Sequence, residues 1–119
     1  MILNSGIFLI ALLHLWFFIL EVFLWQKPLG LKIFKLDQAF AKRSAPLAAN
    51  QGLYNLFLTA GLLWSLVANP LEGLHLKFFF LTCVLLAGIF GGFTVSVRIF
   101  IIQALPAAFI LALLSLSMT

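Results

Sequence analysis

Apolar runs separated by short polar breaks dominate the chain. Residues 3–25 are almost wholly apolar, interrupted by Asn4, Ser5, His14 and Glu21. Residues 48–68 open on Asn50-Gln51-Gly52-Leu53-Tyr54-Asn55 and then turn apolar through Phe57, Leu62, Trp64 and Val67. A third run occupies 77–97 and a fourth 101–116. Runs near the ~20 residues that an α-helix needs to cross the hydrocarbon core read as membrane spans. The pattern predicts an all-α fold, an integral membrane four-helix bundle forming one domain over residues 1–119.

The breaks carry their own signals. Residues 26–47 form the longest connection, in which Lys27, Lys32, Lys35, Lys42 and Arg43 interleave with Ile33, Phe34, Leu36 and Phe40. That mixture suits an amphipathic segment lying on the lipid surface. Pro28 and Gly30 are expected to end the first helix, and Asp37 to cap a short helix through Arg43. Pro46 falls where the first turn of the second span is expected, a place where a missing N–H does little harm. The second span should stop at Asn69-Pro70, leaving 71–76 as a link that carries Glu72 and a solvated His75. Gly88 and Gly92, like Ala87 and Gly91, stand four apart, a small-residue pattern that admits a neighbouring helix. Arg98 closes the third span, and Gln103 and Pro106 begin the fourth. The first run lacks a basic leader and exceeds a usual signal core, so it reads as a retained span.

Composition agrees. Of 119 residues, 65% are hydrophobic and 8% charged, too few charges to cover a soluble surface. The single cysteine, Cys83, excludes an internal disulfide. The net charge of +4 reads as a topology signal and not as nucleic-acid affinity. Five of the seven Lys/Arg lie in 26–47 and a sixth is Arg98, while only Lys77 lies beside the second connection. The positive-inside rule then puts both termini outside and the basic first loop in the cytoplasm of a multi-pass protein of the bacterial inner (plasma) membrane. Its first partner is the lipid bilayer.

With that orientation, Glu21, the Asn50–Asn55 cluster, Thr94, Ser96, Arg98 and Gln103 all reach one depth, in the cytoplasmic leaflet. Polar side chains in lipid are costly unless partnered and often mark function. The expected ligand-binding set is Glu21, Asn50, Gln51, Tyr54, Asn55, Thr94, Arg98 and Gln103. Such a pocket would hold a small amphipathic or lipophilic molecule, with Arg98 on its head, amides orienting it and apolar walls around its tail. For proton transfer Glu21 is the first candidate and His14, mid-span, the second; whether any reaction occurs is left open. Structural readings stand beside these: a Glu21–Arg98 ion pair locking the bundle, amides joining helices, His14 and Trp64 as packing residues. A homo-oligomeric transporter or exporter subunit, dimer or trimer, and a structural subunit of a membrane complex are the alternatives. No cofactor is identified, and His14, His75 and Glu21 lack metal-ligand spacing.

Several strings together are distinctive: His14 to Glu21 with Trp25, Ala48-Ala-Asn-Gln-Gly-Leu-Tyr-Asn55, Ala87-Gly-Ile-Phe-Gly91 with Thr94 and Arg98, and Gln103-Ala-Leu-Pro106. Over nearly its whole length the chain resembles domain-of-unknown-function family 1304, small bacterial four-helix membrane proteins. That resemblance implies a fold and no established activity. A weaker resemblance is to the membrane-associated eicosanoid and glutathione metabolism (MAPEG) proteins, four-helix trimers with a long first cytoplasmic loop. Asn50, Asn55, Arg98 and Arg43 stand in places comparable to that family's. Its acidic residue in helix two is replaced here by Gln51 or Tyr54, and its full arginine set is missing.

Overall fold

A computed structural model describes residues 1–119. The fold is all-α, built from α1 (Ile2–Val22), α2 (Pro28–Phe34), α3 (Gln38–Val67), α4 (Pro70–Thr94) and α5 (Val97–Leu116). Three of them, α1, α4 and α5, are long and apolar enough to cross a membrane. α3, at 30 residues the longest, is not among them, because Asn50, Gln51 and Asn55 dilute its apolar stretch.

The boundaries depart from the sequence expectation at each connection. α1 stops at Val22, so Trp25 lies in the connection and not in the span. Pro28 does not terminate a helix; it opens α2 at the first position, and Gly30 is buried within α2. Asp37 does cap, its Oδ1 accepting from the Phe40 N–H at 2.8 Å. The helix it starts continues past Arg43 for 30 residues, carrying Pro46 in its interior. An interior proline removes one backbone bond and crowds the carbonyl four residues earlier. Here that carbonyl belongs to Lys42, and Lys42 and Pro46 are both exposed.

The expected 71–76 link is helical. Asn69 is the N-cap of α4, its Oδ1 taking the Glu72 N–H at 3.0 Å, with Pro70 at the first position. Asn-Pro followed by Glu is thus a start signal, the capping-box pattern. At the other end α4 closes at Thr94, and Arg98 belongs to the first turn of α5 instead of the end of the third span. α5 carries a π-helical stretch at Phe100–Ala104, where the Leu105 N–H reaches back to the Phe100 carbonyl. Pro106 follows one residue beyond its end and cannot donate to Ile102, and the wider turn lets the chain pass the proline without a break.

Contacts divide the chain into two compact units, Leu12–Thr59 and the pair Met1–Ala11 with Ala60–Thr119. In the first unit, the end of α1 and the start of α3 run antiparallel, which follows from Phe18, Glu21 and Val22 lying against Gly52 and Trp25 lying against Ser44. The buried positions of α3 here are Ala41, Ala48, Gly52, Asn55 and Thr59, separated by seven, four, three and four residues. That is one helical stripe of small and polar groups.

In the second unit α4 and α5 form an antiparallel hairpin around the small residues of α4. A Cβ on Gly88 would strike the Ala104 backbone, and those on Gly91 and Gly92 would meet Ile99 at 2.6 Å and Phe100 at 2.7 Å. The small-residue face therefore receives a helix of the same chain. Gly61 lies under the Phe80 ring, and Gly73 approaches the Ser65 carbonyl. Leu81, Val84, Ala107, Ile110 and Leu114 are buried with them.

Candidate functional site

Glu21 stands in the last turn of α1, and the antiparallel register brings Asn55 of α3 to it. The Asn55 Nδ2 donates to Glu21 Oε1. Gly52, one turn earlier on α3, allows the approach. A Cβ there would fall 2.7 Å from Val22 Cγ2 and 3.2 Å from Glu21 Cβ. The sequence Gly-x-x-Asn is thus one feature: the glycine closes the helices and the amide holds the carboxylate. Asn55 is itself buried, and its carbonyl accepts from Thr59 Oγ1 at 3.2 Å. Two turns before Glu21, His14 is completely buried and edge-on to Phe17, with ring centroids 5.5 Å apart.

Beyond Glu21 the chain opens into a recess of about 370 Å³ lined by Glu21, Val22, Phe23, Trp25, Gln26, Lys27, Gln38 and Ala45. Its walls are held from behind. Trp25 Nε1 donates to Ser44 Oγ at 3.0 Å, and the ring packs on Phe34 at 4.8 Å. Gly30 of α2 sits against the Leu24 carbonyl so closely that no side chain would fit. The connection 23–27 is thus tied to α3 through Trp25 and packed on α2 at Leu24. Glu21 Oε1 is occupied by Asn55, while a carboxylate has about four acceptor sites, so acceptor capacity remains for a guest. The residues that line the recess thus include one carboxylic side chain (Glu21), one lysine (Lys27), two glutamines (Gln26 and Gln38) and one tryptophan (Trp25).

Of the residues expected from sequence, this unit joins Glu21 and Asn55. Asn50, Gln51 and Tyr54 lie off the buried stripe and are exposed; Tyr54 is 52% accessible and stacks edge-on with Phe57 at 5.8 Å. The i, i+4 pairing of Gln51 with Asn55 does not make one polar face, because burial selects the Gly52–Asn55–Thr59 stripe. Thr94, Arg98 and Gln103 belong to the other unit. There Thr94 donates to the Phe90 carbonyl at 2.8 Å, Arg98 is exposed, and Gln103 is half-buried in the π stretch. Sequence reasoning missed Gln26, Lys27 and Gln38 as wall residues. The available signal was the polar Gln26-Lys27 pair directly after an apolar run that already held Glu21. Elsewhere, Asn69, Glu72, His75 and Phe79 border a wide open depression at the start of α4, with His75 exposed on a helix and not in a loop.

These features define a class: an all-α protein, three of whose helices have the length and composition of membrane spans, with a polar recess at the end of the first. Within that class the chain belongs to DUF1304, a family of unknown function, whose profile matches residues 8–116 and so covers every wall of the recess. Nothing matches among curated proteins or among solved structures, so the likeness to MAPEG proteins stays with the motif residues alone.

Proposed function

We propose that this chain is a multi-pass inner-membrane protein that binds the polar end of a small amphipathic molecule in the recess beside Glu21. The observation that carries the reading is the recess itself: about 370 Å³, with a carboxylate oriented by Asn55 at its inner edge. Ligand pockets run from ~300 to ~1,000 Å³, so this one suits a head group and leaves a tail outside. In this reading α1, α4, α5 and the part of α3 from about Ala48 cross the bilayer, with 26–47 on the cytoplasmic face. At 1.5 Å per residue, the 30 residues of α3 measure roughly 45 Å against a hydrocarbon core of ~30 Å. Its first turns, with Lys42 and Arg43, then lie at the surface, and the recess opens in the interface where Trp25 and Lys27 are at home.

A second reading adds to the first. Asn50 and Gln51 are exposed on a helix at membrane depth, and amides there gain by bonding to another helix. A homo-oligomeric contact through that face supplies the partner. The other sequence-derived candidates, Thr94, Arg98 and Gln103, are tested separately from the recess.

Native mass spectrometry after mild extraction tests the proposal. The wild type should carry a small-molecule mass that Glu21→Gln and Asn55→Leu lose while both keep wild-type helicity by circular dichroism. A wild type that carries nothing under any mild extraction, or stable variants that all keep the molecule, would refute it.

A further inference from the structure

Resting on the reading of the Glu21 recess as a binding site, we propose that it selects a zwitterionic head: a primary ammonium joined by a short linker to a phosphate. A phospholipid head group and a free aminoalkyl phosphate share that chemistry.

The charges of the lining point to it. The recess holds one carboxylate, Glu21, and one ammonium, Lys27, and they sum to zero. Glu21 is held by the Asn55 amide at Oε1 and not by a cation, so an ammonium brought by a guest would be the first cation to pair with it. A purely anionic head would gain Lys27 but sit beside a bare carboxylate. A purely cationic head would gain Glu21 but sit beside Lys27. Only a guest with both signs meets both without like-charge repulsion.

Hydrogen bonding narrows the cation. The indole N–H of Trp25 is committed to Ser44, so the ring offers a face and no donor. Acceptors toward the ammonium are the free Glu21 oxygen and the Gln26 and Gln38 carbonyls. A primary ammonium has three N–H groups to give them, whereas a quaternary one has none. Donors toward the phosphate are the three N–H groups of Lys27 and the amide N–H groups. Size agrees, since ~370 Å³ holds roughly a dozen non-hydrogen atoms at about 30 Å³ each and an aminoethyl phosphate has about eight. Val22 and Phe23 on the lining give an apolar exit for a tail.

The test uses the whole chain in detergent, offered equal amounts of phosphatidylethanolamine, phosphatidylcholine and phosphatidylglycerol, with bound lipid read by native mass spectrometry. Phosphatidylethanolamine should be retained over the other two by on the order of tenfold, the ratio expected from one charge-assisted hydrogen bond. Glu21→Gln keeps an acceptor for Asn55 but loses the carboxylate, and should lose phosphatidylethanolamine and with it the preference over phosphatidylglycerol. Lys27→Gln should weaken both of those lipids, while Lys77→Gln, outside the recess, should change nothing. Free phosphoethanolamine separates the two sources. Displacement of lipid at matched concentration marks the head alone as the ligand; no displacement marks the intact lipid. If phosphatidylglycerol binds as well as phosphatidylethanolamine, and through Glu21, the zwitterion assignment is overturned; if phosphatidylcholine does, the primary-ammonium assignment is overturned; in both cases the recess still binds. If no lipid or head group binds in a manner that depends on Glu21 or Lys27, the assignment and the recess both fall.

Discussion

Gly88→Ala adds one methyl group at the tightest approach between α4 and α5. The new Cβ would lie 2.9 Å from Ala104 Cα and 2.9 Å from Ala104 Cβ, with the Ala104 backbone nitrogen closer still. Ordinary contact begins at 3.4 Å, so α5 must withdraw by at least 0.5 Å, the difference between 3.4 and 2.9. The obstacle is backbone and cannot rotate away as a side chain would. It also lies in the π stretch that passes Pro106, so the displaced segment has little regular geometry to yield. Overpacking of this kind costs about 1–3 kcal/mol. Replacing glycine by alanine inside a helix returns up to about 1 kcal/mol. The net expectation is a loss of roughly 1–2 kcal/mol, and a larger one for Gly88→Leu or Gly92→Leu. Thermal unfolding in detergent measures it, with Ala87→Leu, at an exposed neighbouring position, as the control that should hold wild-type behaviour. A Gly88→Ala protein that melts at or above the wild type, or leucine variants with unchanged melting and elution, would show that α5 does not rest on Gly88.

Asn55→Leu leaves the half-buried Glu21 carboxylate without its donor and should destabilise by about 1–3 kcal/mol. Adding Glu21→Leu should recover much of that in a double-mutant cycle, while additive losses would deny the coupling. Lys35 has φ 54° at the end of α2, a left-handed conformation that glycine adopts freely. Lys35→Gly should therefore stabilise by ~1 kcal/mol in denaturant unfolding, and a loss would contradict the cap geometry. Tags at Met1 and Thr119 should report an outside location and one near Lys35 a cytoplasmic one; cytoplasmic termini would move the recess to the other face.

The apolar runs and their lengths are written in local order, and α1, α4 and α5 follow from them directly. So does the Asp37 cap, since a side-chain acceptor three residues before a free N–H needs no tertiary help. Helix ends were harder to read. Pro46 looks like a first-turn residue until the chain on both sides proves helical, and Asn69-Pro70 looks like a stop until Glu72 completes a cap. In each case the same residues satisfy two local rules, and long-range packing chooses between them.

The candidate site divides in the same way. Glu21 declared itself as a lone carboxylate in an apolar run, and Asn55 as one of three amides at the opening of another. No local rule says which amide turns inward. Helix phase relative to α1 decides that, and Gly52 sets the phase because it is where the two backbones can meet most closely. Asn50, Gln51 and Tyr54 are as polar as Asn55 but lie on other faces, at angles that only the packed pair defines. The recess walls at Gln26, Lys27 and Gln38 are more distant still from sequence logic. They come from three connected pieces of chain whose approach depends on Gly30 seating against Leu24 and on Trp25 reaching Ser44. The sequence by itself determined which segments are helical and which groups are costly to leave unpartnered. Only the tertiary structure decided which of those groups meet, because a side chain's partner depends on the rotation and register of helices that touch far apart in the chain.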